Sequence, residues 1–375
     1  MTFSPMTPTA FPLIEISGSP EARGKQYGQK AADRINKGVS HYTEQLRKLS
    51  LDTSKLSALI NDYLPVMESF DPAHVAEMRG IAVGAEIPFE NVVLLNARTE
   101  LLKLASSPEL RQRLSGEIAD GCTGLIVQPE ASADKKIIHA QNWDWKYECA
   151  ETAVVLRIRR DDGPDILTFT EAGGLARSGM NSAGINLTAN FLESDLDYQD
   201  IGVPLPLIRR KILEQQHLAL AMHATYMTKK SGSCNMMLSH KDGIALNFEC
   251  APNETFLVHP ENGLLVHANH WISIAALSKL KDRGIATTPD TLYRDTRVKD
   301  ILRPHLGRIE VDHVKAALLD DFASPWAVCR PPRMNLANNL SATVASIIMK
   351  PSEGVMQVAC LPAVNPNFVD YGFDA

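Results

Sequence analysis

Asp120-Gly121-Cys122-Thr123 puts a thiol directly after a glycine, where a helix-rich stretch gives way to strand-like alternation at 123–128, 136–141 and 154–159. Glycine has no Cβ, so the Gly121 peptide can bend into a strained conformation and its carbonyl can be approached closely by the next side chain. The chemistry open to such a pair is self-cleavage: the Cys122 thiol attacks the Gly121 carbonyl, the amide becomes a thioester, and water cuts it. Cys122 then heads a second chain, 122–375, which stays with the first, 1–121, as a heterodimer. Its α-amine, with an ordinary pKa of about 7.7 to 8.0, lies close to the thiol's roughly 8.5, so one residue supplies both nucleophile and general base. A Gly-Cys pair opening a strand is also a common turn followed by a small buried thiol, so other segments must decide.

Those segments are Gln141-Asn142-Trp143-Asp144-Trp145, Glu171-Ala172-Gly173, Asn181-Ser182-Ala183-Gly184 and His267-Ala268-Asn269-His270. In this order after 120–123, they resemble the acyl-coenzyme A:6-aminopenicillanic acid acyltransferase family, a C45 peptidase-like branch of the N-terminal nucleophile hydrolases. The likeness continues through Asn96-Ala97-Arg98-Thr99-Glu100 upstream, and through Pro325-Trp326-Ala327-Val328-Cys329-Arg330 and 343–349 downstream, so it covers most of the chain. The set is specific for the family but not for a substrate, because the family holds both acyltransferases and amide hydrolases such as the insect β-alanyl-dopamine hydrolase. It implies a four-layer αββα sandwich, where element order alone supports only an α+β fold.

The expected catalytic residues are Cys122, Asn269 and Asp144. A neutral side-chain amide at Asn269 suits the oxyanion that develops when Cys122 attacks a carbonyl, a contact worth about 3 to 4 kcal/mol in the transition state. Asp144, flanked by Trp143 and Trp145 in what reads as a turn after a strand, is placed to fix the Cys122 amine or a substrate ammonium group; the structural alternative is a turn cap. Thr123 either orients the Cys122 amine or thiol or only begins its strand. By resemblance, Trp145 matches a position that shapes the acyl pocket, where Phe is usual, Ser233 falls on a family serine, and Arg330 matches an arginine near the site. Ala327 stands where the family segment has serine. Arg98 and Glu100 read as a structural ion pair or network. His270 leaves a papain-like cysteine–histidine pair open, although the papain signature around the cysteine is absent.

Composition bounds the rest. The chain has 375 residues, 45% of them hydrophobic, enough for one large core or two modest ones. A net charge of −6 without a basic block longer than Arg209-Arg210-Lys211 speaks against a nucleic-acid partner and for a small-molecule or peptide one; with the Cys122 chemistry, a small-molecule amide substrate is expected. No pair of the six cysteines has C-x-x-C spacing, so no metal or other cofactor is expected. Cys149, Cys234, Cys250, Cys329 and Cys360 read as reduced core residues. Residues 1–11 lack a signal-peptide pattern and no apolar stretch approaches 18 residues, which makes a soluble cytoplasmic protein without a membrane partner the expectation. The C-terminal residues Tyr371-Gly372-Phe373-Asp374-Ala375 lack the peroxisomal address carried by the fungal penicillin enzymes of the family.

The elements that must position the site follow from pattern. A strand at 11–17 precedes a helix that starts at Ser19-Pro20-Glu21 and runs towards Leu49, with Gly24 and Gly28 spaced for close helix packing. Asp71-Pro72 and Pro88-Phe89-Glu90 open further helices, so 1–121 reads as a helical layer with one strand. From 123 onward, strands are joined by turns at Asp161-Asp162-Gly163, Lys241-Asp242-Gly243 and Glu261-Asn262-Gly263. Helices intervene near 206–215, 219–228, 290–302 and 311–319, and strands at 343–349 and 355–360 close the chain. One structural domain is expected, cut after Gly121 into an α-chain and a β-chain. The expected reaction is amide hydrolysis, with acyl transfer from a coenzyme A thioester or amide to an amine, such as a β-lactam nucleus, as the alternative. A non-enzymatic binding protein that keeps the fold is the third reading.

Overall fold

The computed structural model describes residues 8–48, 53–105, 121–335 and 339–374. Asp120 lies outside the described residues. Strand β1 (Leu13–Ile16) leads into five helices, α1 (Pro20–Lys30), α2 (Ala32–Lys48), α3 (Thr53–Phe70), α4 (Pro72–Ala85) and α5 (Phe89–Ala105). Ser19 caps α1 by accepting from the Ala22 nitrogen and Asp71 caps α4 by accepting from that of Ala73, each followed by a proline at the first helical position.

The single long helix expected after Pro20 is two. Ala31 leaves helical geometry (φ −119°, ψ 16°) because α1 must lie along α4 while α2 packs on α5. Glycines fix the first of these contacts. A Cβ at Gly24 would stand 1.9 Å from the Glu77 carbonyl oxygen, and Gly28, Gly80 and Gly84 are equally pressed against backbone of the facing helix.

Two sheets follow. One runs β1, β4 (Ala153–Ile158), β5 (Ile166–Glu171), β6 (Ser178–Asn181), β7 (Ile185–Phe191), β8 (Cys234–His240), β9 (Ala245–Cys250) and β10 (Thr255–Val258), with β1 parallel to β4 and the rest antiparallel. The other runs β11 (Leu264–His267), β2 (Cys122–Val127), β3 (Ile138–Lys146), β13 (Leu340–Lys350), β14 (Val355–Cys360) and β15 (Val369–Gly372), with β12 (Arg333–Met334) paired to β13. Helices α6 (Leu205–Leu213), α7 (Leu218–Met227), α8 (Ile274–Leu277), α9 (Thr291–Leu302) and α10 (Val311–Leu318) lie between strands in sequence.

Three cores define four layers. Helices α1–α6 pack on the first sheet through residues such as Tyr27, Leu95, Leu156 and Leu187. The sheets meet through Trp143, Phe169, Val155 and Val344. Leu125, Val127 and Ile348 cover the outer face of the second sheet against Val298, Leu302 and Val314 of α9 and α10. This is the αββα sandwich expected.

Three local expectations change. β3 does not stop at Gln141 but runs to Lys146, so Asp144 and Trp145 are strand residues, not a turn. Central strands buried on both faces hide their period, since Gln141 and Asn142 bond to neighbouring layers and Asp144 to Thr343 on the next strand. Glu261-Asn262-Gly263 forms a turn, but it carries the chain from one sheet to the other. The short edge strand β15 was not foreseen.

Candidate active site

Cys122 opens β2, and the alternation of that strand sorts its neighbours. Cys122 and Ile126 face the first sheet, while Thr123, Leu125 and Val127 face the outer helices. The β2–β3 register pairs Cys122 with Trp143. One step earlier, the Asp144 N–H donates to the Gly121 carbonyl at 2.9 Å, so the Gly121–Cys122 peptide is the last rung of this ladder.

The other half of that peptide is held as well. The Cys122 nitrogen donates to Asn269 Oδ1 at 2.7 Å. Arg294 Nη2 donates to the same oxygen at 2.8 Å, and its Nη1 to the Cys122 carbonyl (2.7 Å) and Thr123 Oγ1 (2.8 Å). A guanidinium only donates, so Asn269 must turn its oxygen towards Cys122 and its nitrogen away. Nδ2 gives one hydrogen to the Phe191 carbonyl at 2.9 Å, leaving the second for an oxyanion.

Asn269 lies in the loop after β11, fixed from below. Asn190 donates to the carbonyls of His267 and Ala268, and is itself bonded by Gln141 at 2.7 Å, which accepts from Ser178. The polar residues of β3 therefore tie the sheets together on one side. On the other, Asn142 donates to the carbonyls of Leu318 and Val328, binding α10 and the approach to Arg330.

Asp144 and Arg330 meet behind the Gly121–Cys122 peptide. Asp144 Oδ1 accepts from Thr343 Oγ1 at 2.6 Å and its Oδ2 lies 3.2 Å from Arg330 Nε. Arg330 and Arg294 converge on Asp290, Arg294 Nε at 2.7 Å. Burial pushes the Asp144 carboxyl up, against the pull of Arg330 and Arg294. Burial also works on Asp290, but the two arginines win and hold it below the usual carboxylate range. A Cβ on Gly121 would stand 2.5 Å from Arg330 Nη2 and 2.8 Å from Arg294 Nη2. Glycine is required there by close approach.

The Cys122 side chain, 3% exposed, faces a narrow cleft. Burial pushes its thiol up, while Arg177, whose Nη2 lies 4.0 Å from Sγ, pulls it down. Arg177 also stacks on Trp143 at 4.3 Å. The cleft wall includes Asp144, Trp145, Phe191, Glu171 and Arg209. Arg98 and Glu100 line it too, on the far side of a kink at Ala97 in α5; Arg98 pairs with Glu171 at 2.6 Å rather than with Glu100.

Two expected residues sit elsewhere. Ser233 donates to Asp197 Oδ1 at 2.5 Å and contacts Ser194, so it supports the loop beside the cleft, whose wall is Gly232. His270 bonds Thr291 and His267 bonds Glu249 and the Ala268 carbonyl; among the described residues lining the cleft there is no histidine, which removes the support for a papain-like pair. All six cysteines are free and buried. Sequence reasoning missed Arg294, Asp290, Arg177 and Arg209. Only Asp290 and Arg294 left a signal, an acid–base pair four apart at the start of a predicted helix.

The family model of the acyl-coenzyme A:6-aminopenicillanic acid acyl-transferases matches residues 131–361, which include Asp144, Asn269, Arg294 and Arg330. The acyl-coenzyme A:6-aminopenicillanic-acid-acyltransferase 40 kDa form of Emericella nidulans is 26% identical over 320 residues, 84% of each chain. Among solved structures, a mutant conjugated bile acid hydrolase from Clostridium perfringens matches at a TM-score of 0.48 and 11% identity, over 68% of this chain and 92% of that one. Penicillin V acylase from Agrobacterium tumefaciens matches at 0.44 and 14%, over 68% and 86%. With more than half of its length matched, including the residues gathered behind Cys122, the chain belongs to the acyl-coenzyme A:6-aminopenicillanic acid acyl-transferase family.

Proposed function

We propose that the chain cuts itself between Gly121 and Cys122 and then hydrolyses the amide bond of a small N-acyl or aminoacyl compound through a thioester on Cys122. The observation that carries this reading is the setting of the Gly121–Cys122 peptide, buried with its nitrogen on Asn269 and its oxygen on the Asp144 N–H. Attack of sulfur on the Gly121 carbon puts negative charge on an oxygen that already has a donor at 2.9 Å. Collapse breaks the C–N bond, and the nitrogen leaves as the Cys122 amine with the thiol's proton. Water then hydrolyses the thioester, giving the Gly121 carboxylate and restoring the thiol.

In the cut protein the Cys122 amine accepts the thiol's proton as sulfur attacks the substrate carbonyl, and later passes it to the departing nitrogen. The free hydrogen of Asn269 Nδ2 and a backbone N–H meet the oxyanion. Asp144 and Asn269 Oδ1 hold the amine, Arg330 and Thr343 hold Asp144, and Thr123 with Arg294 holds the start of β2. Trp145 closes the acyl side of the cleft, and Ser233 supports its rim through Asp197. Water is the acceptor that needs no site of its own. A bound amine in its place would make the same thioester an acyl donor, the activity named for the Emericella relative.

Intact-mass spectrometry of freshly purified protein beside Cys122→Ala tests the reading. Two chains, 1–121 and 122–375, whose masses sum to the precursor plus one water, are expected from the wild type and a single 41.2 kDa chain from the variant. A wild type that stays whole under all conditions that keep it folded overturns it.

A further inference from the structure

Three arginines and three carboxylates line the cleft beside Cys122, but the carboxylates do not all serve those arginines. Six charged side chains line it: Arg98, Glu100, Asp144, Glu171, Arg177 and Arg209. Arg98 is paired with Glu171 at 2.6 Å, and Asp144 with Arg330. That leaves Arg177 and Arg209 against Glu100. Among the described residues neither guanidinium is in an ion pair, and both Nε atoms are buried without a hydrogen-bond partner. Arg209 is only 6% exposed. Burial pushes Glu100 up, which weakens it as a counter-charge, and its Oε1 is occupied by the Leu205 N–H at 3.1 Å. The Cys122 thiol, itself pushed up by burial, is not a resident anion either.

Cations drawn out of water without a counter-charge are costly unless something else supplies one. Burial, and then the charge of Arg209, pushes Arg177 down to about 10, so the two arginines repel each other across the cleft. Among the described residues this arrangement lacks a full counter-charge, and it becomes favourable when an anion sits beside both guanidinium groups.

Resting on the hydrolase reading above, we propose that Arg177 and Arg209 form an anion subsite, and that the substrate carries a carboxylate a few bonds from the scissile carbonyl. The spacing sets the distance. Arg177 Nη2 is 4.0 Å from Sγ, and an attacked carbonyl carbon stands about 3 to 3.5 Å from the nucleophile. A carboxylate bonded to Arg177 is therefore held close to the reacting carbon, as in an N-acyl α-amino acid on the leaving side or a short dicarboxylic monoamide on the acyl side. The phosphates of coenzyme A do not meet this condition, because the whole pantetheine arm separates them from the thioester carbonyl. Arg98, neutralised by Glu171, serves as wall and not as part of the subsite.

Two matched pairs distinguish the sides: N-acetylglycine against N-acetylglycinamide, and a succinyl amide against the butyryl amide of the same amine. With the cut enzyme, at least one charged member is expected to exceed its neutral partner at least tenfold in kcat/KM, mainly through KM. Arg209→Gln and Arg177→Gln are expected to bring that ratio towards one. A cut, active enzyme that prefers the neutral member of both pairs overturns the subsite and leaves the hydrolase reading standing. Calorimetry on uncut Cys122→Ala protein gives a readout that needs neither cleavage nor turnover. There a charged member is expected to bind at least tenfold more tightly than its neutral partner, and Arg209→Gln to remove the difference; equal binding of both members of both pairs overturns the subsite whether or not the chain matures.

Discussion

Asn269 Oδ1 sits 2.7 Å from the backbone nitrogen of Cys122, so one side-chain amide holds the nitrogen that self-cleavage would release as an amine. Its oxygen is shared with Arg294 and its nitrogen with the Phe191 carbonyl. The two ends of this amide therefore have separable duties.

Substitution splits them. Asn269→Asp keeps an oxygen acceptor for Cys122 and Arg294 but loses the donor. It is expected to cut itself yet turn over substrate roughly 10²–10³-fold more slowly, the usual effect of removing one oxyanion donor. Asn269→Ala loses both ends and is expected to slow cutting as well. Chain ratios from intact mass, set beside kcat of the cut fraction, check the split.

Gly121→Ala introduces a methyl group 2.5 Å from Arg330 Nη2. The ion-paired guanidinium cannot yield freely, so the Gly121–Cys122 peptide must shift off its last ladder rung. Accumulation of uncut precursor is expected at a Tm close to that of the wild type; cutting at the wild-type rate would show that the close approach does not matter.

His139 gives a pH dependence with a definite sign. It lies between Ser239 Oγ (2.9 Å) and Thr188 Oγ1 (2.8 Å), and burial pushes it from the usual 6.5 down to about 3. The folded protein keeps this ring neutral where the unfolded chain protonates it. Its contribution is thus intact above pH 6.5 and is lost as pH falls from 6.5 towards 3, with a slope of at most about 1.4 kcal/mol per pH unit. Urea midpoints measured across that range are expected to fall more steeply in wild type than in His139→Gln.

Gly24→Ala tests the packing that seats the helical layer. Its Cβ would overlap the Glu77 carbonyl oxygen at 1.9 Å, so α1 and α4 must separate. A loss on the order of 1–3 kcal/mol is expected from forced overpacking. Calorimetric Tm reads it, while kcat per folded molecule stays near wild type because this contact is remote from Cys122.

Much of the site was legible because its residues stand inside compact motifs. Cys122 opens a strand after a glycine, and Asp144, Asn269 and Arg330 each sit in a segment with an unusual sequence. Arg294, Asp290, Arg177 and Arg209 were not legible, since each lies on an ordinary helix or turn and acquires meaning only where layers meet. Arg294 reaches Cys122 across 172 positions of sequence. The strand period failed for β3 for the same reason: Gln141 and Asn142 are polar yet fully buried, because their partners lie in the layers above and below. Edge strand β15, four residues with two exposed, carries too little pattern to be seen.

The helices before Gly121 share one hydrophobic core with the first sheet, and β1 is a strand of that sheet. A cut after Gly121 would therefore run between two polypeptides that share this core, although the cores around the second sheet lie almost wholly within 122–375. Neither could leave without exposing the apolar face it shares with the other. Heated after cutting, such a molecule would have to find its other half again by diffusion. Its recovery would fall with dilution, where the uncut chain refolds with its pieces still tethered.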